Sequence, residues 1–333
     1  MKINQIVLAS RPAGLPTADN FRIEEVELDE PVADTVLLKP LFISVDPYMR
    51  GRMNEARSYV PPFQIAQPIS GGVVATVLES KSNQLKTGDT VVGNLPWATK
   101  CIKKAYLLRK VDIKSIPAGY YLGVLGMPGL TAYVGLVEIA KPVTGETVVV
   151  SGAAGAVGII VGQVAKIHGC RVIGIAGTNE KCRMLKDEFG FDGVVNYKTS
   201  QNLKQDISQL CPAGVDIYFD NVGGDISDAV IGNINFHARI ALCGQISLYN
   251  STVLPVGPRI LPMLLTRSVM VQGFINGDYK SAFPDAIKNL TAWINDGKIK
   301  YKQTIIHGFD KLPEAFLGLF SGANEGKMLV EIS

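Results

Sequence analysis

The stretch Val148–Cys182, VVVSGAAGAVGIIVGQVAKIHGCRVIGIAGTNEKC, decides how the rest of the chain is read. A run of β-branched residues leads into clustered glycines, an apolar helical pattern follows, and a second β-branched run, RVIGIA, comes next. The order is strand, tight turn, helix, strand. The glycines are Gly152, Gly155 and Gly158; against the pattern G-x-G-x-x-G, Gly155 and Gly158 keep the last two places and Ala153 stands in the first. The middle glycine of such a turn lets the backbone approach a pyrophosphate and the last lets the helix pack closely on its strand. The helix N-terminus adds amide donors and partial positive charge. Ala153 fits only if the turn keeps φ negative there. The turn therefore predicts a dinucleotide held at Gly155, Ala156, Val157 and Gly158; the plain alternative is a strand-helix turn whose small residues serve packing alone.

The end of the second strand distinguishes between dinucleotides. An NAD site places Asp or Glu there to bind the ribose 2′-hydroxyl, whereas this chain has Ala176, Gly177 and Thr178, with Lys181 a helical turn further on. A carboxylate would repel a 2′-phosphate and a lysine attracts it, so the expected cofactor is NADP(H), with Tyr197 as a wall for the adenine or a donor to the phosphate. Glu180 weakens the field beside Lys181, which read alone is also an ordinary surface lysine.

Outward from this stretch the same rhythm continues. TVVVS, a helix over Ala156–His168, RVIGIA, a helix over Glu180–Phe189, GVVNY, a helix around LKQDISQL, VDIYFDNV, a helix around ISDAVIGNI, and ARIALCG alternate as parallel strands with crossover helices do. Their continuous apolar runs fit strands covered on both faces. Before Thr147 the chain is β-rich, with FRIEEVEL, DTVLLKPLFISV, GGVVATVLES and DTVVGNL separated by Pro, Gly, Asn and Asp; YYLGVLGMPGLTAYVGLVEIA is the first long helical pattern. After SVMVQGFI and the helical AFPDAIKNLTAWINDGK, the tail is strand-rich again. It lacks a crossover helix of its own between its last strands, so it is expected to rejoin the first domain.

The 333 residues are 47% hydrophobic and 19% charged, with 34 glycines, enough to bury a large core in two domains or one large one. A net charge of +3, without basic blocks, leaves out the electrostatic footprint of a nucleic-acid binder. No stretch reaches the ~18 consecutive apolar residues of a membrane span, and MKINQIVLASRPAG lacks a signal-peptide run, so the expected location is the cytoplasm. Five widely spaced cysteines without a C-x-x-C pair point to reduced packing residues rather than disulfides or structural zinc.

ISVDPYMRGRM, GGVVATVLES, GMPGLTAY, SGAAGAVG, FDNVGG, CGQISLYN and NEGKMLV, in this order, resemble the zinc-independent medium-chain dehydrogenase/reductases. The resemblance is to their branch of leukotriene dehydrogenases/prostaglandin reductases with 2-alkenal and curcumin reductases, and it covers nearly the whole chain. It implies an α/β protein with a β-rich, partly open barrel (GroES-like) domain, residues 1–125 with 303–333, and a doubly wound Rossmann domain, residues 126–302. By similarity NADPH would meet Gly155–Gly158 at its pyrophosphate, Lys181 and Tyr197 at its 2′-phosphate, and Asn221 at its ribose. Cys243, Gly244 and Tyr249, with Phe274 and Asn276, would flank the nicotinamide half, and Asn324 would add a contact. The sequence Gly273–Asn276 departs from the family pattern, so its backbone contacts carry over more securely than its side chains.

The zinc-using relatives need a cysteine and a G-H-E cluster near the start, but the only histidines here are His168, His237 and His307, and ISVDPYMR occupies that region. The expected chemistry is metal-free. Hydride addition to a simple ketone builds a full alkoxide charge, whereas addition to the β-carbon of an enone spreads it over an enolate that a hydroxyl donor can hold. Tyr249 is the leading candidate donor and Tyr48, in DPYMR, the second; each is otherwise a structural tyrosine. The expected activity is NADPH-dependent reduction of α,β-unsaturated aldehydes and ketones, with a quinone reductase of the same fold or a low-turnover NADPH-binding protein as alternatives. The apolar run Ser268–Ile275 reads as a late strand whose open edge predicts a homodimer.

Overall fold

The computed structural model describes residues 1–253 and 255–332. The chain divides into two compact units, Met1–Gly123 together with the C-terminal segment from Gln303, and Val124–Lys302. In chain order the strands are β1 (Lys2–Leu8), β2 (Phe21–Glu27), β3 (Thr35–Ser44), β4 (Ser70–Ser80), β5 (Thr90–Pro96), β6 (Cys101–Lys104), β7 (Arg109–Lys110), β8 (Thr147–Val150), β9 (Arg171–Ala176), β10 (Gly193–Asn196), β11 (Val215–Asp220), β12 (Ile234–Leu242), β13 (Met270–Gly273), β14 (Gln303–His307) and β15 (Lys327–Glu331). The α-helices are α1 (Tyr48–Arg52), α2 (Met127–Tyr133), α3 (Gly158–Ile167), α4 (Asn179–Asp187), α5 (Leu203–Leu210), α6 (Gly224–Ile231), α7 (Leu261–Thr266), α8 (Phe283–Asn295) and α9 (Leu312–Ser321).

In the first unit β1 and β2 form an antiparallel hairpin, and a larger sheet runs in the order β14-β15-β3-β4-β5-β7, with β6 also paired to β3. Trp97, Phe21 and Phe316 pack ring against ring in its core, with centroids 6.0–6.4 Å apart. The tail departs from expectation. β14 and β15 pair in parallel, and α9, opened by a proline in its first turn and closed by Gly322 at φ 74°, is their crossover. Parallel neighbours cannot be joined by a hairpin, so the short helix read in LPEAFLGLF had to be that link. β15 then ties the tail to the unit by pairing antiparallel with β3, Leu329 opposite Ser44.

The second unit holds a six-stranded parallel sheet in the order β10-β9-β8-β11-β12-β13. Numbered within the unit this is 3-2-1-4-5-6, the doubly wound Rossmann order, and its direction reverses between β8 and β11, where Val150 lies beside Phe219. Val148, Val149 and Val150 are fully buried, as strands covered on both faces must be. α3 begins two residues later than the sequence suggests, because Ser151–Val157 is consumed by the turn. The helical pattern near Met127 proves to be two structures: α2 passes into a π-helix, Val134–Ala140, whose wider turn a 3.6-residue period does not reveal. Arg239 secures its end, donating from Nε to the Ala140 carbonyl at 2.9 Å while pairing with Glu146 at 2.6 Å.

Candidate cofactor and active site

The turn after β8 answers the question posed by Ala153. The left-handed conformation falls one residue earlier, on Gly152 at φ 58°, and Ala153 is absent from the residues with positive φ, so it needs no glycine. Gly158 is the packing glycine: a Cβ there would stand 2.4 Å from the Gly152 carbonyl oxygen and 2.6 Å from the Cα of Ala153. Gly155 is different, since a Cβ on it would meet only the Gly152 oxygen, at 3.2 Å, leaving its other side open. No side chain caps α3. The first amides of a helix have no partner within it, so Ala156, Val157 and Gly158 bring their N–H groups to a surface that Gly155 keeps clear. This is the fit a pyrophosphate requires.

At the end of β9, Thr178 caps α4 by accepting from the Lys181 amide at 3.2 Å. Lys181 is thereby set in the helix's first turn. Glu180 pairs with Arg183 at 3.2 Å, so the carboxylate that seemed to oppose Lys181 has its own cation. Tyr197 lies over Gly177, where an added Cβ would be 3.2 Å from its hydroxyl and 3.4 Å from Cε of Lys198. Lys198 is a second cation at this corner that sequence reasoning missed.

The ends of β8, β11 and β12 meet at Asp220, a residue 1% exposed. Ser151 donates to it from Oγ at 3.0 Å, and the Asn221 amide group donates to the Ser151 carbonyl at 2.8 Å, tying the glycine turn to the turn after β11. The amides of Cys243 and Gly244 donate to the Asp220 carbonyl at 2.9 and 3.0 Å. Tyr249 closes the loop that follows, its hydroxyl accepting from the Gln245 amide at 3.3 Å. Burial raises the Tyr249 phenol above the ordinary tyrosine range, outweighing the opposing effect of that amide, so the group stays protonated near neutral pH. Asp220, Ser151 and Gln245 were not singled out in the sequence. The available signal was an acid ending an apolar strand, VDIYFD, which must find partners wherever it is buried.

After β13, the Phe274 ring is taken up by packing against Phe219 and Tyr279, with centroids 6.3 and 6.5 Å away, and it seats on Gly135 of the π-helix. Asn276 presents a buried Oδ1 without a hydrogen-bond partner, a vacancy a bound donor would fill.

Tyr48 and Asn324 belong to the first unit. Tyr48 opens α1 and packs against the aromatic core; burial, reinforced by Asp46, pushes its phenol well up. Beneath it the buried Lys327 donates to the carbonyls of Val45 and Met328, both at 2.8 Å, and pairs with Asp46 at 3.1 Å. Asn324 uses its amide locally, on the Gly326 carbonyl at 2.7 Å. Among the described residues no group of three or more His, Cys, Asp or Glu side chains is placed to hold a metal ion. Nor, among the described residues, is any helix long and apolar enough to cross a membrane.

Residues 4–111 match a family model described as the N-terminal domain of oxidoreductase, and residues 156–292 one described as zinc-binding dehydrogenase. The NADPH-dependent curcumin reductase of Escherichia coli is 42% identical over 98% of this chain and 96% of its own. An NADP(+)-dependent 2-alkenal reductase of Nicotiana tabacum is 42% identical over 99% of this chain and 97% of its own. The crystal structure of CurA from Vibrio vulnificus in complex with NADPH superposes with a TM-score of 0.94 at 42% identity, covering 99% of each chain. With the switch-point turn, these similarities show that the chain belongs to the zinc-independent branch of the medium-chain dehydrogenase/reductases.

Proposed function

We propose that this protein reduces the C=C bond of α,β-unsaturated aldehydes and ketones with NADPH. The observation that carries the proposal is the neutral Tyr249 phenol at the switch-point edge: its oxygen accepts from a fixed backbone amide, which leaves its own hydrogen to be given to a substrate. Curcumin and 2-alkenals, the substrates named for the two relatives, share a C=C conjugated to a carbonyl. NADPH, when bound, supplies the hydride. The chain's residues do the rest. Gly155 leaves room for the pyrophosphate and the amides of Ala156, Val157 and Gly158 hold it, Lys181 with Tyr197 holds the 2′-phosphate, and Asn221, Cys243, Gly244, Phe274 and Asn276 flank the other half. As the β-carbon gains hydride, negative charge moves to the carbonyl oxygen, and a hydrogen bond from Tyr249 stabilises that enolate; a proton taken from water at the α-carbon then completes a saturated carbonyl and leaves hydroxide to the solvent. Tyr48 shapes the substrate side, and Asn324 adds a cofactor contact.

Residues 1–125 with 303–333 form the catalytic β-rich domain on the substrate side, and 126–302 form the nucleotide-binding domain, which also lends Tyr249 to the reaction, in a cytoplasmic homodimer. Support for the dimer comes from β13, which pairs on one side with β12 and leaves Met270 and Val271 about two-fifths exposed. A monomeric mass by light scattering at micromolar concentration contradicts it. The activity itself is tested by following NADPH absorbance with separate enal, enone and quinone substrates. Turnover of the enals and enones supports the proposal, and turnover of the quinone alone overturns it.

A further inference from the structure

The Asp220 carboxylate accepts six hydrogen bonds. On Oδ1 the donors are Ser151 Oγ at 3.0 Å, the Tyr218 hydroxyl at 2.9 Å, and the amides of Val222 and Gly223, both at 2.9 Å. On Oδ2 they are Ser227 Oγ at 2.6 Å and Nε2 of Gln245 at 2.9 Å. Four of these donors lie within seven residues of Asp220: Tyr218 before it on the same strand, and Val222, Gly223 and Ser227 in the turn and helix that follow. Ser151 and Gln245 come from other segments, and Gln245 alone reaches in from the loop that carries Tyr249.

The side chain of Gln245 has one place to go. Its Nε2 donates to Asp220 and to the Gly244 carbonyl, at 3.0 Å, and its Oε1 lies where a Cβ on Gly223 would stand only 2.2 Å away. Gly223, at φ 77°, is therefore the residue that admits the amide. With the side chain held, the backbone N–H of Gln245 points at the Tyr249 oxygen, and Gly244, whose Cβ would come within 3.2 Å of that oxygen, leaves room for the approach. The buried carboxylate thus fixes an amide, the amide fixes a loop, and the loop fixes a phenol.

We infer that Gln245 is a positioning residue for Tyr249, locked by Asp220, and that it sets the direction in which the phenol gives its hydrogen. The inference rests on the proposed role of Tyr249 as donor to the substrate oxygen. Removing the Gln245 side chain leaves the Tyr249 hydroxyl present but free to turn. Misplacement of a catalytic group on the scale of 1 Å can cost on the order of a hundredfold, so a loss of about tenfold or more is expected.

The test is a cycle of Gln245→Ala, Tyr249→Phe and the double variant, with kcat for an enone and Kd for NADPH measured on each. Gln245→Ala should lower kcat with Kd for NADPH nearly unchanged, and adding it to Tyr249→Phe should cost nothing further, because the group it positions is already gone. Gln245→Glu supplies a readout that a purely structural part would not move. Its carboxyl can donate to Asp220 only when protonated, so this variant should gain activity as pH falls while the parent does not. Additive losses in the cycle, or Gln245→Ala at the parent kcat beside a slow Tyr249→Phe, overturn the inference and leave the role of Tyr249 standing. Tyr249→Phe at the parent rate removes that role and the inference with it.

Discussion

Two glycines three residues apart, Gly155 in the turn and Gly158 where α3 begins, should behave differently when given the same methyl group. Gly158→Ala places a Cβ 2.4 Å from the Gly152 oxygen, about 1 Å inside ordinary contact, with Ala153 backbone atoms at 2.6 and 2.8 Å. None of these is the flexible end of a side chain, so β8, its turn or α3 must shift; overpacking of this kind costs about 1–3 kcal/mol. Gly155→Ala meets one backbone oxygen at 3.2 Å and has no left-handed φ to strain. Its small steric cost is offset by about 0.4–1 kcal/mol from restricting the unfolded chain. Its thermal midpoint should stay close to the parent's. On the proposed assignment the methyl fills the surface offered to the pyrophosphate, and losing one charge-assisted hydrogen bond there costs about 1.5–3 kcal/mol, or roughly tenfold to a hundredfold in NADPH affinity. Thermal unfolding paired with fluorescence titration of NADPH separates the two effects. Gly155→Ala should lose affinity alone, and Gly158→Ala should lose both affinity and several degrees of stability. A Gly155→Ala protein that binds NADPH as tightly as the parent refutes the assignment of this turn to the pyrophosphate.

Lys181→Ala should erase roughly tenfold to a hundredfold of the preference for NADPH over NADH, leaving a remainder that Lys198→Ala then lowers; equal losses for both cofactors contradict the assignment. Lys327→Met leaves Asp46 buried without its cation and should destabilise the protein by about 3–5 kcal/mol in denaturant unfolding, and an unchanged midpoint counts against that pair. Burial works to raise the Glu146 carboxyl, but its hydrogen bonds from Arg239 and the Val143 amide outweigh this and hold it below the ordinary range. Its contribution to stability is therefore present above the unfolded-state value and lost as pH falls through the folded one. Glu146→Gln should be less stable than the parent at neutral pH, and the difference should shrink in acid; a constant difference rules out the linkage.

The layers of this protein were legible in its sequence to different depths. The alternation after Thr147 was read correctly because crossover helices and doubly covered strands leave strong local patterns. The start of α3 was misplaced by two residues because turn and helix share the same small apolar residues. The π-helix at Val134–Ala140 was hidden because its register is set by packing, where Gly135 admits Phe219 and Phe274. The crossover between β14 and β15 was missed although α9 had been noticed, since pairing direction lies in long-range contacts. Motif and resemblance pointed to the glycine turn and to the loop of Tyr249, but the Asp220 network joining Ser151 to Gln245 spans 94 residues and leaves no periodic trace. Its only local sign is an acid where a buried strand ends.

If the proposed reaction is right, hydride from NADPH goes to the carbon-carbon double bond and not to the carbonyl carbon. The most direct measurement supplies NADPH carrying deuterium at the transferable position, with an enal as substrate, and locates the label in the product by NMR. The expected product is a saturated aldehyde with deuterium on the β-carbon, formed by the parent and far more slowly by Tyr249→Phe. An allylic alcohol with deuterium on the former carbonyl carbon would contradict it.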